Sequence, residues 1–493
     1  MSSQNLHTYV LSSDIILTDR KGKEYILTSK NGNKDVEVMY LKIFESIESP
    51  CMMAEMNITD SGVNLIGTIP IQGMEKITFG LKTPYFSTEE YKYTFYIAAV
   101  RARFAKGKIQ NYVLDLISYE GLKNESIRIG KTLTGTGDAI AKNVLNDYLK
   151  ADKTKISEQF FEPCKYQTKI IPSNKRPFDI IGDMLNKCVS GYASSQTFGT
   201  KSSLPSGSST SSISSGTSTT PEKSTVENLV GSAGYCFWET QEGYKFKSLD
   251  NLCSIGGQFK GDDIKDTFVY SIANTDYNKD SGRNILEYNY VNEIDVVKKM
   301  RYGTYSSLMV FYNPSTGQYE EYVFDIEKAF KSMGHMGSEE DIPELHKELA
   351  KYPTRIMTQF IDDEVFYNGE DIASIDPKNR QGISGGSGSP FPDYKKYYMA
   401  QSISRSLLMG TQKLHIVVGG NLSLRAGDKI KIMLPNFSVE SKKTSKKYDE
   451  QHSGNYLIKD ISYEFHLRLS GKNYVAVSNI TLIRDTFGMK STS

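Results

Sequence analysis

Apolar and polar positions alternate along two long stretches of this chain, one near each end. In HSGNYLIKDISYEFHLR (452–468), Ile461, Tyr463, Phe465 and Leu467 alternate with Ser462, Glu464, His466 and Arg468. A period of two marks a strand with one buried face. Much the same arrangement occurs in YKYTFYIAAVRARF (91–104). Around it, KDVEVMYLKIFESI, AEMNITDSGVNLIG, EKITFGLKT and QNYVLDLISYE are separated by Gly, Pro, Ser and Asp. Short strands at this spacing over residues 8 to 120 predict a small barrel or sandwich.

The period then lengthens. GDAIAKNVLNDYLKAD (137–152) puts Ile140, Val144, Leu145 and Leu149 on one helical face, with Asp138 near the N-terminus. RPFDIIGDMLNKCVSGY (176–192) predicts a second helix, with Pro177 in its first turn and Gly191 at its end. A Ser-rich tract (200–224) follows. It buries too little apolar area to offset its ordering entropy, so a flexible surface insertion is expected. GYCFWETQEGYKFKSLD (234–250) predicts a hairpin turning at Gln241, Glu242 and Gly243. Residues 284 to 325 hold three more strand candidates, 339–352 and 393–410 read as helices, and 381–393 is a Gly/Ser-rich joint. The chain closes with strands LHIVVGG, DKIKIMLP, NYLIKDISYEFHLRL and NYVAVSNITLIRD.

The two ends repeat each other. Glu75-Lys76-Ile77-Thr78-Phe79 matches Asp428-Lys429-Ile430-Lys431-Ile432, with Gly73 or Gly427 just before the acid. A long strand pair follows in both copies, turning at AKGKIQ or LSGKN, and each return strand begins Asn-Tyr-Val, at 111–113 and 473–475. The second copy is longer in the polar loop 436–453, where insertion is tolerated. Residues 452–484 and 91–118 are therefore expected in equivalent places of two similar barrels. Three such chains about a three-fold axis would supply six barrels to one pseudo-six-fold ring.

Composition narrows the function classes. With 493 residues, two to four domains are expected. Lys+Arg (59) and Asp+Glu (58) balance, which argues against nucleic-acid binding by bulk electrostatics. The cysteines, Cys51, Cys164, Cys188, Cys236 and Cys253, are odd in number and lack a CxxC pair, as expected for free thiols in a reduced compartment. Neither a secretory signal nor an apolar run of about 18 residues is found.

Candidate chemistry is sparse. Ile129-Gly130-Lys131-Thr132 ends like a phosphate loop, but Glu125 stands where that motif needs glycine. GTGDA (135–139) fits a turn with helix capping. His7, His335, His346, His415, His452 and His466 form no HxxxH or HExxH spacing, although His452 and His466 could meet across a strand pair. Glu339–Glu340 and Asp362–Asp363 are sequence neighbours, not carboxylates facing one cleft. GISGG (382–386) spells GxSxG, but it lies in the Gly/Ser-rich joint and not at a strand-to-helix turn. Lys442, Lys443, Lys446 and Lys447 read as a solvated loop, or as a contact to an acidic partner. Trp238 reads as a hairpin core or interface anchor. No catalytic, cofactor-binding or metal-ligating residue is assigned, no cofactor is expected, and the chain is expected not to be an enzyme.

Several of these stretches resemble the baseplate central hub proteins of contractile-tailed (myovirus) phages. IESPCMMAEMNITDSGVNLIGTIPIQGMEKITF (47–79) looks like that family's opening barrel, and KRPFDIIGDMLNKCVSGY with GYCFWETQEGYKFKSLD like its middle domain. LHIVVGGNLSLRAGDKIKIMLP and HSGNYLIKDISYEF look like its second barrel. Type VI secretion spike proteins are similar in architecture. The resemblance leaves out the Ser-rich tract and the stretch around 325–394. It implies a mixed α+β, β-dominated chain. A first tube-like β-barrel (1–124) and a second (395–490) flank an α/β middle domain (125–283, with the insertion 200–224). Strands at 284–330 and a helical, Gly/Ser-rich connection (331–394) complete the expected layout. It further implies a structural homotrimer, a symmetry adaptor joining the six-fold tail tube to the three-fold central spike. Expected partners are that spike, the tail tube or its initiator, and surrounding baseplate proteins. DNA would pass through the channel without sequence-specific binding, and membrane contact would come only through the spike. The expected location is the virion tail, after assembly in host cytoplasm. Two other readings are a tail-associated cell-wall hydrolase and a carbohydrate-binding β-module.

Overall fold

The computed structural model describes residues 9–28, 36–61, 65–68, 71–83, 86–87, 89–165, 167–192, 233–257, 259–270, 281–292, 295–313, 318–330, 333–337, 348, 352–360, 366–367, 370–371, 394–436, 448–466 and 475–489. The Ser-rich insertion, the joint 381–393, most of the helix expected at 339–352 and the four loop lysines lie outside the described residues.

The alternating stretches become strands of one large sheet. From the N-terminal part come β1 (Val10–Thr18), β2 (Glu24–Thr28), β3 (Val36–Ser46), β4 (Met53–Asp60), β5 (Lys76–Lys82), β6 (Tyr91–Lys106) and β7 (Ile109–Ile117). The middle supplies β8 (Leu133–Thr136), β9 (Gln167–Ile170), β10 (Tyr235–Thr240) and β11 (Gly243–Ser248). Next come β12 (Ile264–Val269), β13 (Ile285–Asn292), β14 (Ser306–Asn313), β15 (Gln318–Asp325), β16 (Arg355–Phe360), β17 (Phe366–Tyr367) and β18 (Glu370–Asp371). The last are β19 (Gln412–Gly419), β20 (Lys429–Met433), β21 (Gly454–His466) and β22 (Val475–Arg484). The large sheet runs β13-β19-β22-β21-β3-β4-β7-β6-β5-β1-β2, with β20 also on β21 and β12 on β20. Thus β12, within the stretch expected as the middle domain, pairs with a strand near the C-terminus.

One strand order is used twice. The N-terminal half is β3-β4-β7-β6-β5 and the C-terminal half is β13-β19-β22-β21-β20, with every neighbouring pair antiparallel. In each half, the first two strands in chain order are neighbours, and the last three follow in reverse. The halves differ at the next strand, since β1 is antiparallel to β5 and β12 parallel to β20.

Bulges fix the correspondence residue by residue. A bulge adds one residue to a strand and sharpens its twist, so shared positions mean shared curvature. The β6–β7 ladder slips between Ile97 and Ala99, and the β21–β22 ladder between Ile458 and Asp460. The β3–β4 ladder slips between Val38 and Tyr40, and the β13–β19 ladder between Ile285 and Glu287. Ile97 thus matches Ile458, and its partner Leu116 matches Leu482. That register corrects the Asn-Tyr-Val equivalence, because Asn111 falls with Val477 and not with Asn473. The shared triplet is a coincidence of composition.

The turn before β5 and β20 is also shared. Met74 N–H donates to the Ile97 carbonyl (2.7 Å) and Ile97 N–H to Glu75 (3.0 Å). Gly427 N–H donates to Ile458 (2.8 Å) and Ile458 N–H to Asp428 (2.9 Å). Each acid folds back on its own turn: Glu75 accepts from Gln72 and Gly73 N–H (3.0 and 2.9 Å), Asp428 from Arg425 N–H (2.9 Å). The counterpart of Gly427 is therefore Met74, not Gly73. Both have positive φ, 90° for Gly427 and 69° for Met74. A β-carbon is disfavoured there, and the Met74 side chain is 64% exposed, so it recovers little by burial. Met74→Gly is expected to stabilise the fold by about 0.5–1 kcal/mol after the entropy cost of glycine, read as a higher urea midpoint at unchanged slope.

The alternation places its apolar sides inward. Phe79, Tyr93 and Phe95 stack with ring centroids 5.5 to 6.2 Å apart, and Ile430, Tyr456, Ile458, Tyr463 and Phe465 are buried in the other half. Each such side chain contributes roughly 1.5–3 kcal/mol on burial. A second core gathers helix Gly137–Asn143, its π-helical continuation Val144–Leu149, helix Pro177–Leu185 and the β10–β11 hairpin. Helix Pro177–Leu185 stops before Gly191, whose added β-carbon would lie 2.9 Å from the Pro163 carbonyl. A third core joins β14 and helix Tyr394–Leu408. β16 runs parallel to β14, a strand that the sequence pattern did not announce. Among the described residues, no helix is long and apolar enough to cross a membrane.

Candidate functional site

The two halves meet edge to edge. β21 pairs antiparallel with β3, from Asp460 opposite Ser46 to His466 opposite Tyr40. Ser46 Oγ donates to Asp460 (2.5 Å), Ile47 N–H donates to the Lys459 carbonyl (3.0 Å), and Lys42 pairs with Glu464 (3.0 Å). The fourth strand of one half thus continues into the first strand of the other, which makes the sheet continuous through the chain.

A buried carboxylate ties this junction to the middle hairpin. Glu45 lies on the inward side of β3, in phase with Leu41 and Ile43. Its oxygens accept from Gln241 N–H (3.1 Å) and Ala426 N–H (3.2 Å), with Arg425 Nε at 4.0 Å. Burial pushes the Glu45 carboxyl up, against the pull of Arg425. Arg425 donates to the Leu422 and Leu424 carbonyls and to Tyr463 Oη, and stacks over Tyr91 at 4.8 Å. Trp238 of β10, fully buried, donates to the Ala426 carbonyl (2.9 Å).

A second clamp lies beside an open cleft of about 450 Å³ lined by Tyr93, Phe95, Tyr96, Tyr119 and Gln241 among others. Lys155 bridges Glu120 (2.8 Å) and Glu239 (2.7 Å), and Glu239 also accepts from Met52 N–H (2.9 Å). Burial pushes the Glu239 carboxyl up more than Lys155 lowers it. The arrangement connects β10 and helix Tyr119–Ser126 to the N-terminal half.

A third cluster sits at the end of β22. Arg405, on helix Tyr394–Leu408, pairs with Asp250 (3.0 Å) and Asp485 (2.7 Å) and donates to the Gly334 carbonyl. His335 contacts Asp485 (2.6 Å) and the Phe330 carbonyl (2.8 Å). Burial favours the neutral Asp485 carboxyl, yet Arg405 and then His335 hold it well below the usual carboxylate range.

The residues singled out in the sequence do not converge. His7, His346, Glu339, Glu340, Asp362, Asp363 and the loop lysines lie outside the described residues. His415 is on β19 and His466 ends β21, whereas His452 contacts Asp449 (2.7 Å) and the Tyr290 ring (5.0 Å). Gly130 lies against Asn174, and GTGDA spans the end of β8 and the start of a helix whose Asp138 accepts from Cys164 N–H (3.0 Å). Among the described residues no group of three His, Cys, Asp or Glu is placed to hold a metal ion, and the five cysteines are free thiols. Glu45, Glu239, Arg405 and Arg425 were not singled out by sequence pattern or motif. For Glu45 the signal was available, a charge in phase with the inward positions of its strand.

No family profile matches the chain, and no curated protein matches it. Among solved structures it is similar to a tail protein from Neisseria meningitidis MC58, with 10% identity, TM-score 0.47 and 97% of each chain covered. It is also similar to the 43 kDa tail protein of prophage MuSo2 from Shewanella oneidensis, with 8% identity, TM-score 0.46, and 97% of this chain and 100% of that one covered. An E. coli component of the type VI secretion system has 8% identity and TM-score 0.38, over 99% of this chain and 80% of that one.

Proposed function

We propose that this chain is a structural hub subunit of a phage tail baseplate. Three copies encircle a channel, and each contributes two barrel-like halves to a pseudo-six-fold ring. The ring faces the tail tube on one side and a three-fold spike on the other, with further baseplate proteins around it and the genome passing through without base readout. The single observation that carries this reading is the five-strand order used twice, with the fourth strand of one half paired to the first strand of the other. A repeated unit joined head to tail is the element from which closed rings are made. The sequence resemblance to hub proteins supplies the identity of the neighbours. The chemistry fits a scaffold, because the buried charges Glu45 with Arg425, Glu239 with Lys155, and Arg405 with Asp250 and Asp485 are paired across elements.

Purified full-length protein is expected to sediment at three times the chain mass. Negative-stain images should show three-fold particles with a central hole. A strict monomer at high concentration, with and without a spike protein, would overturn the proposal.

One observation favours the hydrolase reading: Glu120 and Glu239 share a cleft wall with aromatic residues. Both already serve Lys155, which fits a structural clamp better than an acid/base pair. Robust clearing of peptidoglycan, abolished by Glu239→Gln in a variant that still folds, would decide for the hydrolase.

A further inference from the structure

The junction inside the chain implies a second junction, one that the described residues of a single chain do not make. It joins β21, the fourth strand of the C-terminal half, to β3, the first strand of the N-terminal half. The corresponding edges left over are β6 and β13. Among the described residues, β6 beyond Tyr96 has one partner strand, β7, and β13 has one, β19. β12 touches the start of β13 through a single bridge, Val269 with Asn284, and pairs no further along it.

Both edges have the character of an interface. Residues Ala98–Lys106 of β6 are all exposed, including Val100 and Phe104 (55% exposed). On β13, Leu286, Tyr290 and Val291 are exposed by 42 to 48%. A long exposed edge carrying large apolar side chains is what a soluble protein avoids unless another strand covers it.

We infer that the free edge of β6 pairs antiparallel with β13 of a second copy of this chain, in the register that β21 and β3 use within one chain. This rests on the ring reading above and adds which strands meet and how. The shared bulges transpose the register for the rungs at 104–106, beyond which β6 has a further bulge between Arg101 and Phe104 and β13 one between Tyr290 and Asn292. His466 corresponds to Lys106 through their partners Val475 and Ile109, and Tyr40 corresponds to Glu287 through Asn57 and Val417. The observed rung of His466 with Tyr40 therefore becomes Lys106 opposite Glu287, an opposite-charge pair. The next rung sets Ala105 against Tyr288, and the one after sets Phe104 against Asn289. Because the contact is heterologous, each chain offers β6 to one neighbour and β13 to the other, and rotation closes the ring.

Two experiments on the full-length protein test this register. Lys106→Glu and Glu287→Lys should each weaken assembly by about two- to fivefold per contact, and the double exchange should restore it, as read by sedimentation with thermal melts to confirm folding. Ala105→Cys with Tyr288→Cys should give, on mild oxidation, a ladder ending at a covalent trimer. Val100→Cys with Tyr288→Cys and the parent protein should not. A trimer that forms yet ignores the charge exchange and fails to cross-link would overturn this pairing and leave the ring reading intact. A protein that never assembles would overturn both.

Discussion

Arg405→Met is expected to lower the stability of the folded chain by about 3–5 kcal/mol, the usual effect of removing one partner from a buried ion cluster. The side chain is fully buried, and its guanidinium meets Asp250, Asp485 and the Gly334 carbonyl. Methionine fills much of the volume but leaves Asp250 without its cation and Asp485 with His335 in place of Arg405. The cluster also fastens helix Tyr394–Leu408 to the loop at 333–337 and to the end of β22, since Gly334 N–H donates to Asp250 and Met336 N–H to Asp485. Urea unfolding followed by circular dichroism reads the loss. A second readout is pH. The folded-state pKa of Asp485 is depressed, so its pairing contributes stability that is present above its unfolded value of about 4 and is lost as pH falls through the folded one. The parent should therefore lose stability on acidification below about pH 4, and Arg405→Met should lose less there. An unchanged urea midpoint, or an acid response equal to the parent's, would remove the cluster from any role in holding the fold.

How legible the fold was depends on where the information sits. Strands with one wet and one dry face announce themselves locally, and Ile461, Tyr463 and Phe465 are buried as their alternation requires. The repeat was legible as an order of strands and was misread in detail. The triplet Asn-Tyr-Val suggested one register, whereas bulges at 97–99 and 458–460 set another, and a bulge leaves no local mark on composition. The turn was misread in the same way. Gly73 stood out because glycine is the usual tenant of positive φ, while Met74 carries the conformation that Gly427 has in the other copy. The inserted sheet of β14, β15 and β16 escaped in part because β16 pairs in parallel with a strand far away in sequence. The buried charges were hardest to find. Each is satisfied by a partner distant along the chain, as with Glu45 and Ala426 or Arg405 and Asp250. Glu45, Glu239 and Arg484 betray themselves, as charges in phase with inward positions: Leu41 and Ile43 for the first, Tyr235 and Phe237 for the second, Ile480 and Leu482 for the third. The edges that would meet a neighbour are visible only when both halves are superposed strand by strand.

Trp238→Ala is expected to have a comparable effect, about 3–5 kcal/mol, for a different reason. Trp238 lies on β10, outside the large sheet, yet its ring packs into the same core as the strands of both halves. Its Nε1–H donates to the Ala426 carbonyl, one residue before the left-handed turn at Gly427. The ring presses on that turn so closely that a β-carbon on Gly427 would come within 2.5 Å of Cζ2. Removing the indole opens a cavity and leaves the Ala426 carbonyl buried without its side-chain donor, and nearby apolar groups cannot replace the hydrogen bond. The two losses overlap and do not simply add. Trp238→Phe separates them: it retains most of the packing and forfeits the hydrogen bond, so a loss of about 1–2 kcal/mol is expected. This is the chain's single tryptophan, so parent fluorescence should be blue-shifted and should redden in step with global unfolding, while the variants are followed by circular dichroism. If the hairpin only rests on the surface of the sheet, emission would change before the main transition and Trp238→Ala would cost little. If it pins the turn that starts β20, the two signals coincide. On the ring proposed above, Trp238→Ala should then also weaken assembly, because β21, which pairs with β20, carries the intrachain junction.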